Sequence, residues 1–198
     1  MTATRHVAVL MAGAGLGGAE RSLLSLIKSS TASLRFTLVL PDRGELEQVA
    51  AEAGAAVQIV PWAPALLTLG ERGGAPGPAA LLRGMPALRA AVTGLRAMLA
   101  SLQPDVLVTN GIKPHVIGAR ALRTSPALPL VWYLRESVEG RWMSRAILGR
   151  VSGRCDAAVA ISKYVAENAA AFLPPAVHPD VIYNIVGVPV ESERGEDP

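Results

Sequence analysis

Seven short apolar runs rich in Val, Leu and Ile recur along the chain, at His6–Met11, Phe36–Leu40, Val57–Val60, Val106–Thr109, Leu130–Leu134, Ala157–Ile161 and Val181–Tyr183. They are near-continuous rather than alternating, the pattern of strands buried on both faces. Between them the apolar positions shift to three- and four-residue spacing. After Pro86, which fits a first helical turn, Leu88, Val92, Leu95, Leu99 and Leu102 form one stripe. Val165, Ala169 and Phe172 form another behind Ser162, a fitting N-cap. Strands alternating with helices predict an α/β, Rossmann-like three-layer sandwich with a mainly parallel sheet of about seven strands.

Two stretches break the alternation. Pro61–Pro78, with its prolines and glycines, reads as a long irregular loop, which in a compact domain is a functional or mobile one. Glu191–Pro198 is charged and poor in apolar residues, and reads as a linker or frayed end. Residues 1–190 are then one domain, the number expected for 198 residues of 51% hydrophobic content. Arg5 and His6 before Val7–Ala14 resemble the start of a secretory signal, but the amphipathic segment that continues behind the glycines, with Leu23, Leu26 and Ile27, favours a buried strand entering a helix.

Charge narrows the partners. The net charge of +3 comes from 19 basic and 16 acidic residues that are interspersed, with no Lys/Arg run to track a phosphate backbone, so nucleic acid is not an expected partner. Apolar runs are too short to span a bilayer. The single cysteine, Cys155, excludes an internal disulfide and a cysteine-built metal site, and fits a reducing cytoplasm. No metal or bound cofactor is expected. His6 falls in a buried strand, where a satisfied core role is expected, and Cys155 reads as a small core residue rather than a nucleophile.

Gly13-Ala-Gly15-Leu-Gly17-Gly18 follows the first strand and opens a helix, with the spacing GxGxxG. Glycines there let backbone N–H groups approach a phosphate at the positive end of a helix. An NAD(P)-dependent oxidoreductase would also need an acid after the second strand to hold the ribose. Asp42 stands there, although Pro41-Asp42-Arg43-Gly44 reads equally well as a turn into the next helix.

Gly17-Gly18-Ala19-Glu20-Arg21 resembles the GGAER signature of the family-four retaining glycosyltransferases, whose N-terminal domain is Rossmann-like. Leu40-Pro41 with Gly44, Ala53-Gly54-Ala55, the strand Pro104–Asn110, and Asp156–Ser162 with Val181–Asn184 resemble further segments of that family in order and spacing, so the likeness spans residues 5 to 190. One departure follows Asn184, where Ile185-Val186-Gly187 replaces the family's Gly-Val-Asp. The resemblance implies the N-terminal, acceptor-side half of a GT-B enzyme. The nucleotide-sugar donor would sit mainly on a C-terminal GT-B domain absent from this chain, together with the family's E-x7-E motif. The chain alone is then expected to be inactive.

The resemblance maps donor-phosphate binding onto Gly17 and Gly18, against the alternative that the glycines only permit close packing. Glu20 complements the helix dipole in either case. Arg135 and Glu136 end the fifth strand, at the sheet edge where ligands bind, and are the candidates for catalysis and acceptor binding. Arg135 suits a phosphate or carboxylate and Glu136 a sugar hydroxyl; a local ion pair is the plain alternative. Asn110, Lys113 and His115 suit an acceptor-binding loop, the alternative being a helix cap at Asn110 and a solvated Lys113. Trp62, Trp142 and the Pro61–Pro78 loop suit contact with a lipid-linked acceptor, which would make a cytoplasmic protein peripheral to the inner membrane face. Transfer of a sugar to a glycan, lipid-linked or small-molecule acceptor leads, with the oxidoreductase and a non-catalytic binding module as competitors that fold alone does not separate.

Overall fold

The computed structural model describes residues 4–30, 32–69 and 78–184. Its strands are β1 (Arg5–Met11), β2 (Leu34–Leu40), β3 (Ala56–Ile59), β4 (Val106–Asn110), β5 (Leu130–Leu134), β6 (Ala157–Ala160) and β7 (Asp180–Val181). The helices are α1 (Gly18–Ser30), α2 (Glu45–Glu52), α3 (Pro64–Leu67), α4 (Pro78–Leu102), α5 (Ile112–Ala121), α6 (Trp142–Val151) and α7 (Lys163–Ala169). The strands form one seven-stranded sheet in the order β3-β2-β1-β4-β5-β6-β7, every pair parallel. Each predicted run became a strand, with its ends moved by two residues at most and both ends of β5 unchanged.

Parallel pairing demands a crossover between neighbours, and the helices supply it on both faces. On one face α1 and α2 bury Leu23, Leu24, Ile27 and Leu46 against Val7, Val9 and Met11 of β1. The larger core lies on the other face, where α4 to α7 cover Leu107, Leu130, Trp132 and Ala158. There the predicted stripe of α4 faces inward, with Val92, Leu95 and Leu99 buried, and Ser162 caps α7 by accepting from Val165 N at 3.2 Å. Val131, Tyr133 and Val159, which the register places on the α1 side, are only half-buried.

Three expectations need correction. Helix α4 begins at Pro78, so Pro86 lies inside it rather than in its first turn. The bond that Pro86 removes is to the carbonyl of Leu82, a residue 76% exposed at the helix's solvent side, where water can replace the missing donor. The Pro61–Pro78 stretch is not wholly irregular: Pro64 sits at the first turn of α3, and Lys113 of α5 donates to the carbonyl of Leu67 at its end. Trp62 in the same stretch is buried in the larger core, 5% exposed, so it presents no interface to a membrane. Residues 70–77, the reading of 191–198 as a linker and the departure at 185–187 lie outside the described residues.

Candidate functional site

The strand order reverses between β1 and β4, the point at which open α/β sheets leave a crevice at the carboxyl edge. The glycine loop after β1 and Asn110 at the end of β4 flank that point. Gly17 N donates to the Glu20 carboxylate at 3.0 Å, and Arg21 N to the Gly17 carbonyl at 3.1 Å, so Glu20 reaches back over the first turn of α1 as in a capping box. A Cβ built at Gly13, Gly15 or Gly18 would meet no atom within 4 Å. Close strand–helix packing therefore does not explain these glycines; they border open space. Gly44 is different: a Cβ there would come within 2.6 Å of the Ala14 carbonyl, which accepts from Leu46 N at 3.0 Å. That glycine lets the α2 turn close against the loop and hold it.

Arg135, two residues beyond Tyr133 on β5, lies across the same crevice. Its Nη1 donates to the carbonyl of Ala19 at 2.6 Å, and its guanidinium stands 5.2 Å from the Tyr133 ring. The structure thus brings Arg135 to the turn that carries the glycine pair, a link over 116 residues of sequence. A guanidinium has five donors, of which Ala19 takes one. Glu136, its neighbour, points to solvent and pairs with Arg141 at 2.6 Å, both side chains roughly half exposed. Asn184 joins the group from the far side, its Oδ1 accepting from Ser22 of α1 at 3.0 Å and from Tyr133 Oη at 3.3 Å.

The proposed acceptor loop is not assembled as expected. His115 is a core residue: it is buried, stacked on Trp132 with ring centroids 4.6 Å apart, and bonded through Nδ1 to Thr109 Oγ1 at 2.8 Å. Burial drives its pKa down to about 3, which holds the ring neutral. Helix α5 starts at Ile112, and this rotates the ring inward. Asn110 does not cap α5, whose N-cap is Gly111; it is buried, with Nδ2 3.6 Å from Met11 Sδ. Lys113, half-buried, ties α5 to α3 through Leu67.

Two background expectations hold. His6 is buried and satisfied, its ring nitrogens bonded to Thr37 Oγ1 and Arg35 Nη2, each at 2.8 Å. Cys155 is buried, and burial first of all raises its thiol pKa to about 12, far from a nucleophile's range. Asp42 Oδ1 accepts from Arg43 N at 2.7 Å, so the acid works within its own exposed turn. Among the described residues no group of His, Cys, Asp and Glu could hold a metal ion, and no helix is long and apolar enough to cross a membrane.

A family model described as Glycosyltransferase Family 4 matches residues 16–188. No curated protein matches the chain in sequence. Among solved structures, the chain is similar to Anabaena Alr3699/HepE in complex with UDP, with a TM-score of 0.66, 19% identity, and coverage of 91% of this chain and 44% of that one. It is also similar to the lipopolysaccharide outer core galactosyltransferase WaaB, with a TM-score of 0.63, 16% identity, and coverage of 91% and 46%. Acinetobacter baumannii MurG matches with a TM-score of 0.57, 14% identity, and coverage of 90% and 45%. The chain spans less than half the length of these three proteins.

Proposed function

Because the chain belongs to glycosyltransferase family 4, we propose that it is the N-terminal half of a GT-B enzyme that transfers sugar, with retention, from a nucleotide-sugar donor to a glycan, lipid-linked or small-molecule acceptor. The carrying observation is the glycine loop at the switch point, open above Gly18 and flanked by Arg135. As the bond from sugar to diphosphate breaks, negative charge grows on the leaving phosphate. Oriented N–H groups at a helix N-terminus and a fixed guanidinium stabilise that charge without reorganising. Gly17 N already holds one carboxylate, that of Glu20. Arg135 is assigned here to the phosphate side of the cleft, on its contact with Ala19, and Glu136 to the acceptor side, from which its exposed carboxylate can reach a sugar hydroxyl. That HepE was solved with UDP agrees with a uridine nucleotide as donor. The acid after β2, engaged in its own turn, favours this activity over the NAD(P)-dependent one.

Calorimetric titration of the 198-residue chain with UDP- and GDP-sugars, and with NAD and NADP, tests the assignment. With one wall of the cleft present, exposed charge-assisted contacts should give an affinity no better than about millimolar for the nucleotide sugars. Saturable tight binding of NAD or NADP would overturn the proposal, and tight binding of a nucleotide sugar would move the donor site into this domain.

Glu136→Gln separates the acceptor role from the ion pair. The exposed pair with Arg141 contributes under about 1 kcal/mol, so the melting temperature should barely move. In the polypeptide that joins this chain to its donor-side half, acceptor KM should rise or kcat fall, with donor KM unchanged. Wild-type kinetics for both substrates would remove Glu136 from the site.

A further inference from the structure

The guanidinium at the crevice depends on a ring, and the ring depends on an amide. Arg135 stands over Tyr133, 5.2 Å from the ring centroid, while its Nη1 donates to the Ala19 carbonyl. A cation over an aromatic face is a weak restraint by itself. It fixes the guanidinium only where the ring is fixed.

Packing alone holds Tyr133 poorly. It shares the α1-side face of the sheet with Val131 and Val159, and all three are only half-buried. A ring packed on part of its surface keeps rotamer freedom, and a turn about χ1 would carry it from beneath the guanidinium. The restraint comes at the phenol end, where Tyr133 Oη donates to Asn184 Oδ1 at 3.3 Å, reaching from β5 across β6 to the residue that follows β7. The same oxygen accepts from Ser22 Oγ of α1 at 3.0 Å. Ser22 lies about one turn below Ala19, so Asn184 grips the helix whose first turn Arg135 also grips. The contacts close on themselves, running from Asn184 through Tyr133, Arg135, Ala19 and Ser22 back to Asn184.

We infer that Asn184 and Tyr133 are positioning residues for the transfer: Asn184 anchors the Tyr133 phenol and Ser22 together, and thereby sets Arg135 and the glycine turn of α1 at one fixed separation. A diphosphate must meet the guanidinium and the loop N–H groups at once, and donors held in place beforehand stabilise developing charge without reorganising. Opening the closed set of contacts therefore lowers turnover without touching the acceptor. The inference rests on the assignment of Arg135 to the phosphate side of the cleft, so its test includes a readout that needs no turnover.

The kinetic arm uses the polypeptide that joins this chain to its donor-side half. Tyr133→Phe keeps the ring beneath Arg135 and removes only the hydroxyl, while Asn184→Leu removes the acceptor of both bonds. Each should lower kcat, Asn184→Leu on the order of tenfold, with acceptor KM unchanged. In an Arg135→Ala background Tyr133→Phe should cost nothing further, a dependence that a merely structural loss would not show. The second arm is the Nε–H resonance of Arg135 in the isotope-labelled 198-residue chain, assigned by its disappearance in Arg135→Ala. It should shift in Tyr133→Phe and in Asn184→Leu, and stay in place in Ser29→Ala, an exposed position near the far end of α1. Variants are scored on preparations that melt as wild type does, and Tyr133→Phe carries the test should Asn184→Leu fail to fold. If Arg135→Ala turns over like wild type, the phosphate assignment falls and the resonance alone decides the positioning. The inference is overturned if the resonance is unmoved in the folded variants, if kcat is unmoved in them while Arg135→Ala lowers it, or if Tyr133→Phe costs as much without Arg135 as with it.

Discussion

Replacing Gly18 with valine is expected to lower turnover on the order of a hundredfold or more while leaving the melting profile unchanged. The folded domain has room for the new side chain, since a Cβ at Gly18 meets nothing within 4 Å and the backbone there is not in the left-handed region. What a branched side chain would obstruct is the approach of a phosphate to the loop N–H groups, and loss of one preorganised donor of that kind costs catalysis on the order of 3 kcal/mol. Position 18 is the better test than position 17. A Cβ at Gly17 would press on the Glu20 carboxylate at 2.9 Å and disturb the cap of α1, so a loss there would mix folding with chemistry. The measurement is turnover of the two-domain enzyme beside thermal melting of the same preparation. Wild-type turnover with an unchanged melt would reduce the loop to scaffolding.

Legibility in the sequence followed the range of the forces involved. A strand buried on both faces must be apolar at nearly every position, so all seven runs could be found without tertiary knowledge, and the glycine pair stood out because it punctuates a strand-to-helix turn. Pro86 misled because proline reads as a helix start, while the actual start at Pro78 follows a stretch with no apolar period to announce it. His115 misled for a related reason. Asn110–His115 looks polar and loop-like, but once α5 starts at Ile112 the ring is carried inward against Trp132, a residue on another strand. The contact of Arg135 with Ala19 has no local signal at all, since it depends on β5 and α1 meeting at one edge of the sheet.

The same buried histidine sets the expected response to acid. A base whose folded pKa is depressed destabilises the fold when protonated, because the unfolded chain takes up the proton first. Stability is therefore unaffected by His115 above its ordinary pKa of 6.5, and is lost as pH falls from 6.5 toward the folded value of about 3. The loss runs at about 1.4 kcal/mol per pH unit across that window, a total on the order of 5 kcal/mol and a large share of a domain's stability. His6 is shifted in the same direction, by burial first and then by Arg35, with Asp105 opposing, so it adds to the slope. Urea denaturation at neutral and mildly acid pH should accordingly show steep acid weakening in the wild-type chain. In His115→Gln, which keeps a polar partner for Thr109 but has no titrating ring, the slope should fall by roughly one proton. The comparison is of slopes, so the variant's own packing cost at neutral pH does not enter. Equal slopes in the two proteins would mean that His115 is hydrated in solution, and would return it to the carboxyl-edge cleft as a residue free to meet a ligand.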